Sequence, residues 1–378
     1  MNRREFVVSA AAVAVSAPSL LAQKAAKTQR VLVGSNTPEG ILAFDWDAQA
    51  TTFTPAGVAA KIANVDWLIV ASSAPDKNYL FAASEVDETN GKPTGAVASF
   101  LLEAGKLKPI ATANSAAKGT CHIALDHTSR VLLSADYGGG AAASFLIGPD
   151  GNPGQAVWTE HYSGHGPVTD RQEAVHAHFA SFSPDNRFAY INDLGSDAIH
   201  IYRLDAQTAK LTPAGAYHSK PGAGPRTLHF HPCKKTAYAI NELDSTVDVL
   251  AWNKSDGSLK LKTRIELLPA GSPAGKSRAC DTVITSDGRN VYFANRGDDF
   301  LYAFRADVSS GELKPIGRTP TGGKSPRNFT LDPSERWMLV ANQDSNSIAI
   351  FERNPNSGAL ASQGKNLDCP APMCILFV

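Results

Sequence analysis

Residues 222–232 read GAGPRTLHFHP, which is typical of a strand that ends in a tight His-Pro turn. Residues 237–242 read AYAINE and predict a second strand that runs back alongside the first. An antiparallel pair joined by a short turn starts and finishes at the same end of the sheet. The hairpin therefore predicts that Arg226, near its start, and Glu242, at its end, lie at one edge of a sheet.

The strand–turn–strand pattern recurs along the chain. With Pro232 as the reference turn position, the equivalent positions are Pro75, His127, Pro184, Ser286 and Pro333. Successive positions are 47 to 57 residues apart, and most repeats add a third and a fourth strand. Four strands in a repeat of about 50 residues predict β-propeller blades, because so small a sheet buries its faces only by stacking on its neighbours.

Strand-like residues remain at both ends of the chain. Residues 30–35 and 40–45 read as strands near the start, and residues 373–378 read as a strand at the end. Three strands from the start and one from the end would complete a seventh blade and leave no exposed sheet edge. We therefore predict an all-β fold, a seven-bladed β-propeller with four antiparallel strands per blade, as one domain over residues 30–378. A six-bladed ring with an added β-hairpin is the alternative.

The N-terminal segment has the pattern of an export signal. Arg3 and Arg4 precede an apolar run, residues 7–21, and small residues follow near Ala22. Paired arginines before a modest apolar run indicate a twin-arginine signal over residues 1–22 and predict a periplasmic or extracellular protein. The run is too short and too rich in Ala and Ser to form a stable membrane span. A basic N-terminus without a targeting role is the alternative.

The composition limits the partners of the chain. Lys plus Arg and Asp plus Glu each number 36, so nothing indicates a nucleic acid or an anionic membrane surface as a partner. The five cysteines are too few for a disulfide scaffold and lack metal-ligand spacing, and only Cys369 and Cys374 are close in sequence. We therefore expect mostly buried thiols, a small-molecule ligand and no cofactor. The oligomeric state stays open, with a monomer favoured.

Two positions of the repeat carry polar or reactive side chains in most blades. Six residues before the turn, on the first strand, stand Cys121, His178, Arg226, Cys280 and Arg327. Nine and ten residues after the turn, where the second strand ends, stand Ser84-Glu85, Asp136-Tyr137, Asp193-Leu194, Asn241-Glu242, Asn295-Arg296 and Asn342-Gln343. Both positions open onto one mouth of the central channel, so we expect the charged side chains to converge there. A ring of salt bridges that joins the blades is the structural alternative.

A polar connection, residues 160–173, leads into the strand that carries His176 and His178 and is long enough to form the rim of a site. The two histidines are two residues apart, so on a strand they share a face and could bind zinc. No third residue with metal-ligand spacing stands near them. We therefore expect no metal.

Taken together, these motifs resemble the seven-bladed β-propeller lactonase family, which holds bacterial 6-phosphogluconolactonases of the propeller type and fungal carboxymuconate cycloisomerases. The motifs are GHGP at 164–167, RQ at 171–172, HAH at 176–178, DLGSD at 193–197, GAGPR at 222–226, NEL at 241–243, NRG at 295–297 and SPR at 325–327. They run in order over roughly residues 120–350, and the resemblance extends more loosely to both ends. It implies a site at one mouth of the channel, with His178, Arg226, Glu242 and Arg296 as site residues.

One position departs from the family pattern. The family's Gly-Pro-Arg is usually followed by His, and Thr227 stands at that position in this chain. If the histidine takes part directly in the reaction, the activity or the substrate of this chain differs. If it packs between blades, the replacement has no consequence.

The site residues suit the opening of a lactone. The reaction needs a base for water and positive charge where the tetrahedral oxyanion forms. Glu242 or His178 can accept the proton, and the arginines can hold the oxyanion or an acidic group of the substrate. The chain has no Gly-x-Ser-x-Gly motif, which favours direct attack by water over an acyl-enzyme.

We therefore predict a lactonase-like hydrolase that opens a small anionic sugar-acid or phosphosugar lactone, as a 6-phosphogluconolactonase does. The predicted catalytic residues are His178, Glu242, Arg226 and Arg296, and the predicted substrate-binding residues are Arg327, His176, Asp193 and Tyr137. The alternatives are an exported propeller that binds a small anionic ligand or a protein partner without chemistry, and a carboxymuconate-type cycloisomerase. The export signal counts against a phosphorylated substrate, because such metabolites are kept inside cells.

Overall fold

The computed structural model describes residues 28–74, 77–273 and 275–378. In this part of the chain, 28 strands form seven four-stranded antiparallel sheets, the blades, around a central channel. No helix among these residues has the length and hydropathy needed to cross a membrane. The predicted export signal lies outside the described residues.

Four strands make up each blade, ordered from the channel outward. Blade 1 is β28 (Pro372–Phe377), β1 (Gln29–Ser35), β2 (Ile41–Asp47) and β3 (Thr52–Ala60); blade 2 is β4 (Val65–Ala74), β5 (Lys77–Ser84), β6 (Ala96–Glu103) and β7 (Lys106–Asn114); blade 3 is β8 (Thr120–Leu125), β9 (Val131–Asp136), β10 (Ala141–Leu146) and β11 (Ala156–His161). Blade 4 is β12 (Ala177–Phe182), β13 (Phe188–Asp193), β14 (Ala198–Asp205) and β15 (Lys210–His218); blade 5 is β16 (Pro225–Phe230), β17 (Thr236–Asn241), β18 (Thr246–Trp252) and β19 (Leu259–Glu266). Blade 6 is β20 (Arg278–Ile284), β21 (Asn290–Arg296), β22 (Phe300–Ala306) and β23 (Leu313–Pro320); blade 7 is β24 (Pro326–Leu331), β25 (Trp337–Asn342), β26 (Ser347–Arg353) and β27 (Leu360–Asp368).

The ring closes within blade 1. The C-terminal strand β28 pairs antiparallel with β1, from Val31 opposite Phe377 to Ser35 opposite Pro372. The inner strands of neighbouring blades pack side by side around the whole channel, with β28 between β24 and β4. The predicted closure by three N-terminal strands and one C-terminal strand is confirmed, and the six-bladed alternative is wrong.

The hydrophobic core lies between the blades. Every residue of β9, β13, β17 and β25 is buried, because each of these second strands is covered on both faces by neighbouring blades. Tyr190 of blade 4, for example, packs in one cluster with Leu228 and Ala237 of blade 5. The outer strand β11 instead alternates between half-buried and exposed residues, as expected at the rim of a propeller.

The turns predicted from the repeat join the first and second strands of their blades. Those in the described residues are His127, Pro184, Pro232, Ser286 and Pro333. Pro75 lies outside the described residues. The first strand of blade 2, β4, has ten residues, whereas the first strands of blades 3 to 7 have six or seven. Because β4 is longer, its channel-facing residue, Asp66, stands further from the turn in sequence than the equivalent residues of blades 3 to 7 do.

Candidate active site

Every inner strand carries a β-bulge near its start, at the end of the channel that we call the site mouth. The register skips one residue there in each blade, and the skipped residues are Met373, Asp66, Cys121, His178, Arg226, Cys280 and Arg327, in ring order. A bulge re-aims the side chain of the extra residue. All seven side chains except that of Cys280 line one cavity in the channel. The bulges therefore bring residues that are far apart in sequence into one site.

Glu242 directly follows β17 and lies within a cluster of arginines. Its side chain is 2% exposed, and its Oε2 lies 3.0 Å from Arg226 Nε and 2.7 Å from Arg296 Nη2. Its Oε1 accepts a hydrogen bond from Arg171 Nη2 at 2.8 Å and lies 4.0 Å from Arg278 Nη1. Burial would raise the pKa of Glu242, but three of these arginines outweigh it and hold the pKa well below its ordinary value. Glu242 is therefore an anion whose two oxygens already face cations.

His178 is the bulged residue of β12, and its side chain is partly exposed in the cavity. Its Nδ1 lies 3.9 Å from Cys121 Sγ, and its ring meets the Tyr137 ring edge-on, with the ring centroids 5.4 Å apart. Desolvation, and then the positive charge of Arg226, hold the pKa of His178 well below its ordinary value. At neutral pH the imidazole is uncharged and can accept a proton.

The connection between β11 and β12 carries Arg171 to the site mouth. Its neighbour Gln172 is fully buried and donates hydrogen bonds from Nε2 to Leu194 O at 2.8 Å and to Asp197 Oδ1 at 2.9 Å. These bonds of Gln172 anchor the connection next to Arg171. Arg171 in turn donates a hydrogen bond from Nη2 to the Tyr137 hydroxyl at 3.1 Å. The sequence shows Arg171 in a long polar loop, but nothing in the repeat register indicates its ion pair with the site carboxylate, so sequence reasoning missed it.

Asp197 fixes the turn that precedes Arg226. Its Oδ2 accepts a hydrogen bond from the Gly222 backbone at 2.7 Å, and its Oδ1 accepts one from the Gly224 backbone at 2.8 Å. Gly224 has a φ of +68°, and a Cβ at this position would lie 2.7 Å from Leu243 Cγ. Both the backbone conformation and the close contact require glycine. The GAGPR motif therefore holds Arg226 at the start of β16.

Three of the four predicted substrate-binding residues lie at or beside the site. Arg327 lines the cavity. Tyr137 lies between His178 and Arg171, with its hydroxyl on the latter. His176 stacks on the Tyr137 ring at 4.4 Å, and its Nδ1 lies 3.0 Å from the Tyr137 carbonyl oxygen. The stacked His176 ring therefore helps to fix the position of the Tyr137 ring.

Asp193, which the sequence predicts to bind substrate, lies outside this cluster. Its buried Oδ1 accepts hydrogen bonds from the backbone of His176 at 2.8 Å and of Gly195 at 3.0 Å, and its Oδ2 lies 3.6 Å from His200 Nε2. The corresponding residues of other blades, Asp136, Asn241, Asn295 and Asn342, are equally buried. Successive side chains of an extended chain point in opposite directions. In blade 5 it is therefore Glu242, and not the buried Asn241 before it, that lies among the site arginines.

Asp66 is a cavity-lining residue that the repeat register did not identify. It is the bulged residue of β4, and its Oδ2 lies 3.6 Å from Arg327 Nη2. Because β4 is longer than the other first strands, Asp66 precedes its turn by nine positions instead of six. An alignment of the repeats by the start of the strand would have found it.

The cavity framed by the bulged residues has a volume of about 20 Å³, which is room for about one water molecule. Thr227 lines this cavity next to Arg226 and is 1% exposed. Its Oγ1 has no hydrogen-bond partner among the described residues. The position that departs from the family pattern therefore lies in the wall of the cavity.

The thiols near the site mouth are not activated. Burial raises the pKa of Cys121 well above its ordinary value and that of Cys280 to about 11. All five cysteines are free. In the described part of the chain, no group of three His, Cys, Asp or Glu side chains is placed to hold a metal ion.

Comparisons with known proteins agree with this architecture. The family model described as "Lactonase, 7-bladed beta-propeller" matches residues 30–377. A 6-phosphogluconolactonase of Bacillus subtilis is 31% identical over 90% of this chain and 95% of its own length. A protein of the same name from Formosa agariphila is 34% identical over 87% of this chain and 94% of its own length. The solved structure of a periplasmic gluconolactonase from Pseudomonas aeruginosa is similar at a TM-score of 0.85 and 30% identity, covering 93% of this chain and 99% of that one.

Proposed function

The chain belongs to the seven-bladed β-propeller lactonase family and is a lactone hydrolase, and from that premise we propose that it opens the lactone of a gluconic acid at the site mouth. The observation that supports the proposal is that the uncharged imidazole of His178 lines one cavity together with the buried Arg226 and the partly exposed Arg327. Hydrolysis of a lactone needs both a base for the attacking water and positive charge for the oxyanion.

We assign the base to His178. The Glu242 carboxylate is held by three arginines within 3.0 Å, so neither of its oxygens is free to take a proton from water. His178 is uncharged and lines a cavity that has room for one water molecule. In this assignment Glu242 binds and orients the arginines, and the imidazole accepts the proton.

The arginines stabilise the tetrahedral oxyanion. Arg296 Nε and Arg327 Nε are buried and have no hydrogen-bond partner among the described residues. A buried donor without a partner is costly unless a ligand uses it. Donors that are already in place when negative charge develops on the carbonyl oxygen give the largest electrostatic stabilisation of such a transition state.

The charge of the site mouth favours an acidic substituent on the substrate. The arginines of the site outnumber its carboxyl groups by five to four. The arginines are Arg171, Arg226, Arg278, Arg296 and Arg327, and the carboxyl groups are Glu242, Asp66, Glu85 and Asp281. Guanidinium groups bind phosphate and carboxylate oxygens well. A gluconolactone that carries a phosphate is therefore the first candidate substrate, in agreement with the name of the relatives from Bacillus subtilis and Formosa agariphila.

A second candidate is an unphosphorylated gluconolactone that is hydrolysed outside the cytoplasm. Arg3 and Arg4 have the pattern of a twin-arginine signal, and the relative from Pseudomonas aeruginosa is named a periplasmic gluconolactonase. We therefore propose that the chain is exported if this second candidate is its substrate, since phosphorylated metabolites are kept inside cells. The surplus of arginines would then serve the oxyanion and the carboxylate of the product.

A comparison of substrates tests the proposal. Purified protein is assayed in a pH-stat with gluconolactone, with its 6-phosphate and with a muconolactone, each corrected for spontaneous hydrolysis. We expect hydrolysis of at least one gluconolactone, and the ratio of kcat/KM for the two decides between the candidates. Turnover of the muconolactone alone would favour a cycloisomerase, and acceleration of none of them would contradict the proposal.

A further inference from the structure

A second carboxyl cluster lies across the channel from Glu242. Asp66 of blade 2 is 6% exposed, and Glu85, which directly follows β5, is within hydrogen-bonding reach of it. Glu85 holds the place in blade 2 that Glu242 holds in blade 5, at the end of the second strand. The site mouth therefore contains two carboxyl centres at matching positions of two blades.

The two centres differ in their surroundings. Three arginines lie within 3.0 Å of Glu242. Asp66 Oδ2 lies 3.6 Å from Arg327 Nη2, and Asp66 Oδ1 is buried without a hydrogen-bond partner among the described residues. Desolvation and a neighbouring carboxyl group both oppose the ionisation of a buried carboxyl group. Asp66 is therefore the protonated group of this centre, and it lines the cavity.

The charges around Asp66 come from several strands. Glu85 opposes its ionisation, and Arg327 and Arg226 favour it. The same cavity is also lined by the Asp281 carboxyl group and by three groups without charge, the Cys121 thiol and the imidazoles of His122 and His178. Desolvation by burial is the largest influence, followed by Glu85, and together they raise the pKa of Asp66 well above its ordinary value. An acid and a base with opposite shifts in one site are the pattern of paired proton transfer.

We propose that Asp66 is the acid that protonates the ring oxygen of the lactone as the ring opens. This assignment rests on the proposed function. His178 takes a proton from water while the water oxygen bonds to the carbonyl carbon. The bond from that carbon to the ring oxygen then breaks, and the ring oxygen receives the proton of Asp66. The imidazolium returns its proton to Asp66 through solvent, and the new carboxylic acid releases one proton to water.

The cavity explains why these two residues can act on one ester group. Asp66 and His178 are bulged residues of β4 and β12, with only β8 between them, and both line the same small space. Arg226 and Arg327 lie in the same wall. A lactone seated over this space would meet the base, the acid and two cations at its single carbonyl carbon.

The dependence of rate on the leaving group tests the proposal. A sugar lactone releases an alkoxide that needs a proton, whereas dihydrocoumarin releases a phenolate that leaves without one. For Asp66→Asn we expect kcat on the sugar lactone to fall by about 10²–10⁴-fold. We expect the loss on dihydrocoumarin to be at least tenfold smaller. A purely structural effect would lower both rates by the same factor.

The pH profile is the second readout, and it applies even if the unmodified enzyme rejects dihydrocoumarin. For the sugar lactone, kcat should fall on the alkaline side as Asp66 loses its proton, and Asp66→Asn should remove this fall. Glu85→Gln should move it to lower pH, because Glu85 raises the pKa of Asp66. Full activity of Asp66→Asn, or an unchanged alkaline fall, would overturn the assignment. If the unmodified protein hydrolyses no lactone, the proposed function itself fails.

Discussion

Arg226 Nε lies 3.0 Å from Glu242 Oε2, and both residues belong to the β16–β17 hairpin of blade 5. Arg296 of blade 6 and Arg171 from the loop before blade 4 approach the same carboxylate. Glu242 therefore links blades 5 and 6 with the connection between blades 3 and 4, and it sets the positions of the site arginines at the same time. A substitution of Glu242 should therefore lower the stability of the fold as well as the activity.

Replacing Glu242 with Gln should destabilise the fold. The variant leaves the buried Arg226 and the largely buried Arg296 without their counter-charge, and the loss of one partner of a buried ion pair typically costs about 3–5 kcal/mol. The folded pKa of Glu242 lies below its unfolded value near 4.5, so its contribution is present above that pH and is lost as the pH falls. Thermal unfolding across this pH range should show the largest gap between the two proteins at neutral pH.

The matched control is Arg278→Ala. This arginine is 33% exposed and 4.0 Å from Glu242 Oε1, so its loss should cost less than about 1 kcal/mol. Equal melting temperatures for Glu242→Gln and the unmodified protein would show that the carboxylate is not a structural anchor.

Replacing His178 with Gln should remove the base. We expect kcat to fall by about 10²–10⁴-fold, with a small change in melting temperature because the side chain is partly exposed. Because the pKa of His178 is lowered, the rate of the unmodified enzyme should fall with acid only well below pH 6.5. His176→Gln, which alters the neighbouring stacked ring, should retain that acid limb. Undiminished turnover by His178→Gln would return the base assignment to Glu242.

Replacing Gly224 with Ala should disturb both the turn and Arg226. The backbone has a φ of +68°, and the new Cβ would lie 2.7 Å from Leu243 Cγ, so we expect a loss of about 1–3 kcal/mol and a lower kcat/KM. Gly317→Ala in β23 is the control, since a methyl group added there would have no atom within 4 Å and its φ is not in the left-handed region. Comparable melting temperatures for both variants would contradict this prediction.

Removing residues 373–378 should open the ring. The deletion removes nearly all of β28, the inner strand of blade 1, and leaves a gap between β24 and β4. We expect a large drop in melting temperature or loss of soluble protein. Deleting Val378 alone, which removes one backbone hydrogen bond to Arg30, should change little. An unaltered melting curve for the longer deletion would argue against closure by this strand.

Export is tested in a host with a twin-arginine pathway. The unmodified chain should appear in the periplasm without residues 1–22, and replacing both Arg3 and Arg4 with Lys should retain it in the cytoplasm. Fractionation and intact mass provide the measurement. An uncleaved chain in the cytoplasm for both proteins would refute the signal.

The repeat made part of the site predictable. Every blade repeats one hairpin, so a fixed offset from the turn identified His178, Arg226 and Arg327 as residues of equivalent strands, and the structure shows that each is a bulged residue of its strand. The offset failed for Asp66, because β4 is longer than the other first strands. The offset also did not show which of the two residues at the end of a second strand faces the site mouth. A step of one residue along an extended chain reverses the direction of the side chain, so Asp193 lies outside the cluster.

The sequence by itself determined the seven blades, their closure by β28 and the pairing of Arg226 with Glu242, because these follow from a period and from local hairpins. The tertiary structure alone decided that Glu242 is held by arginines from neighbouring blades and that Asp66 faces the cavity of His178. The physical reason is that the protonation of a buried group depends on the charges brought next to it in space. Those charges come from strands that are distant along the chain and meet only when the ring is closed.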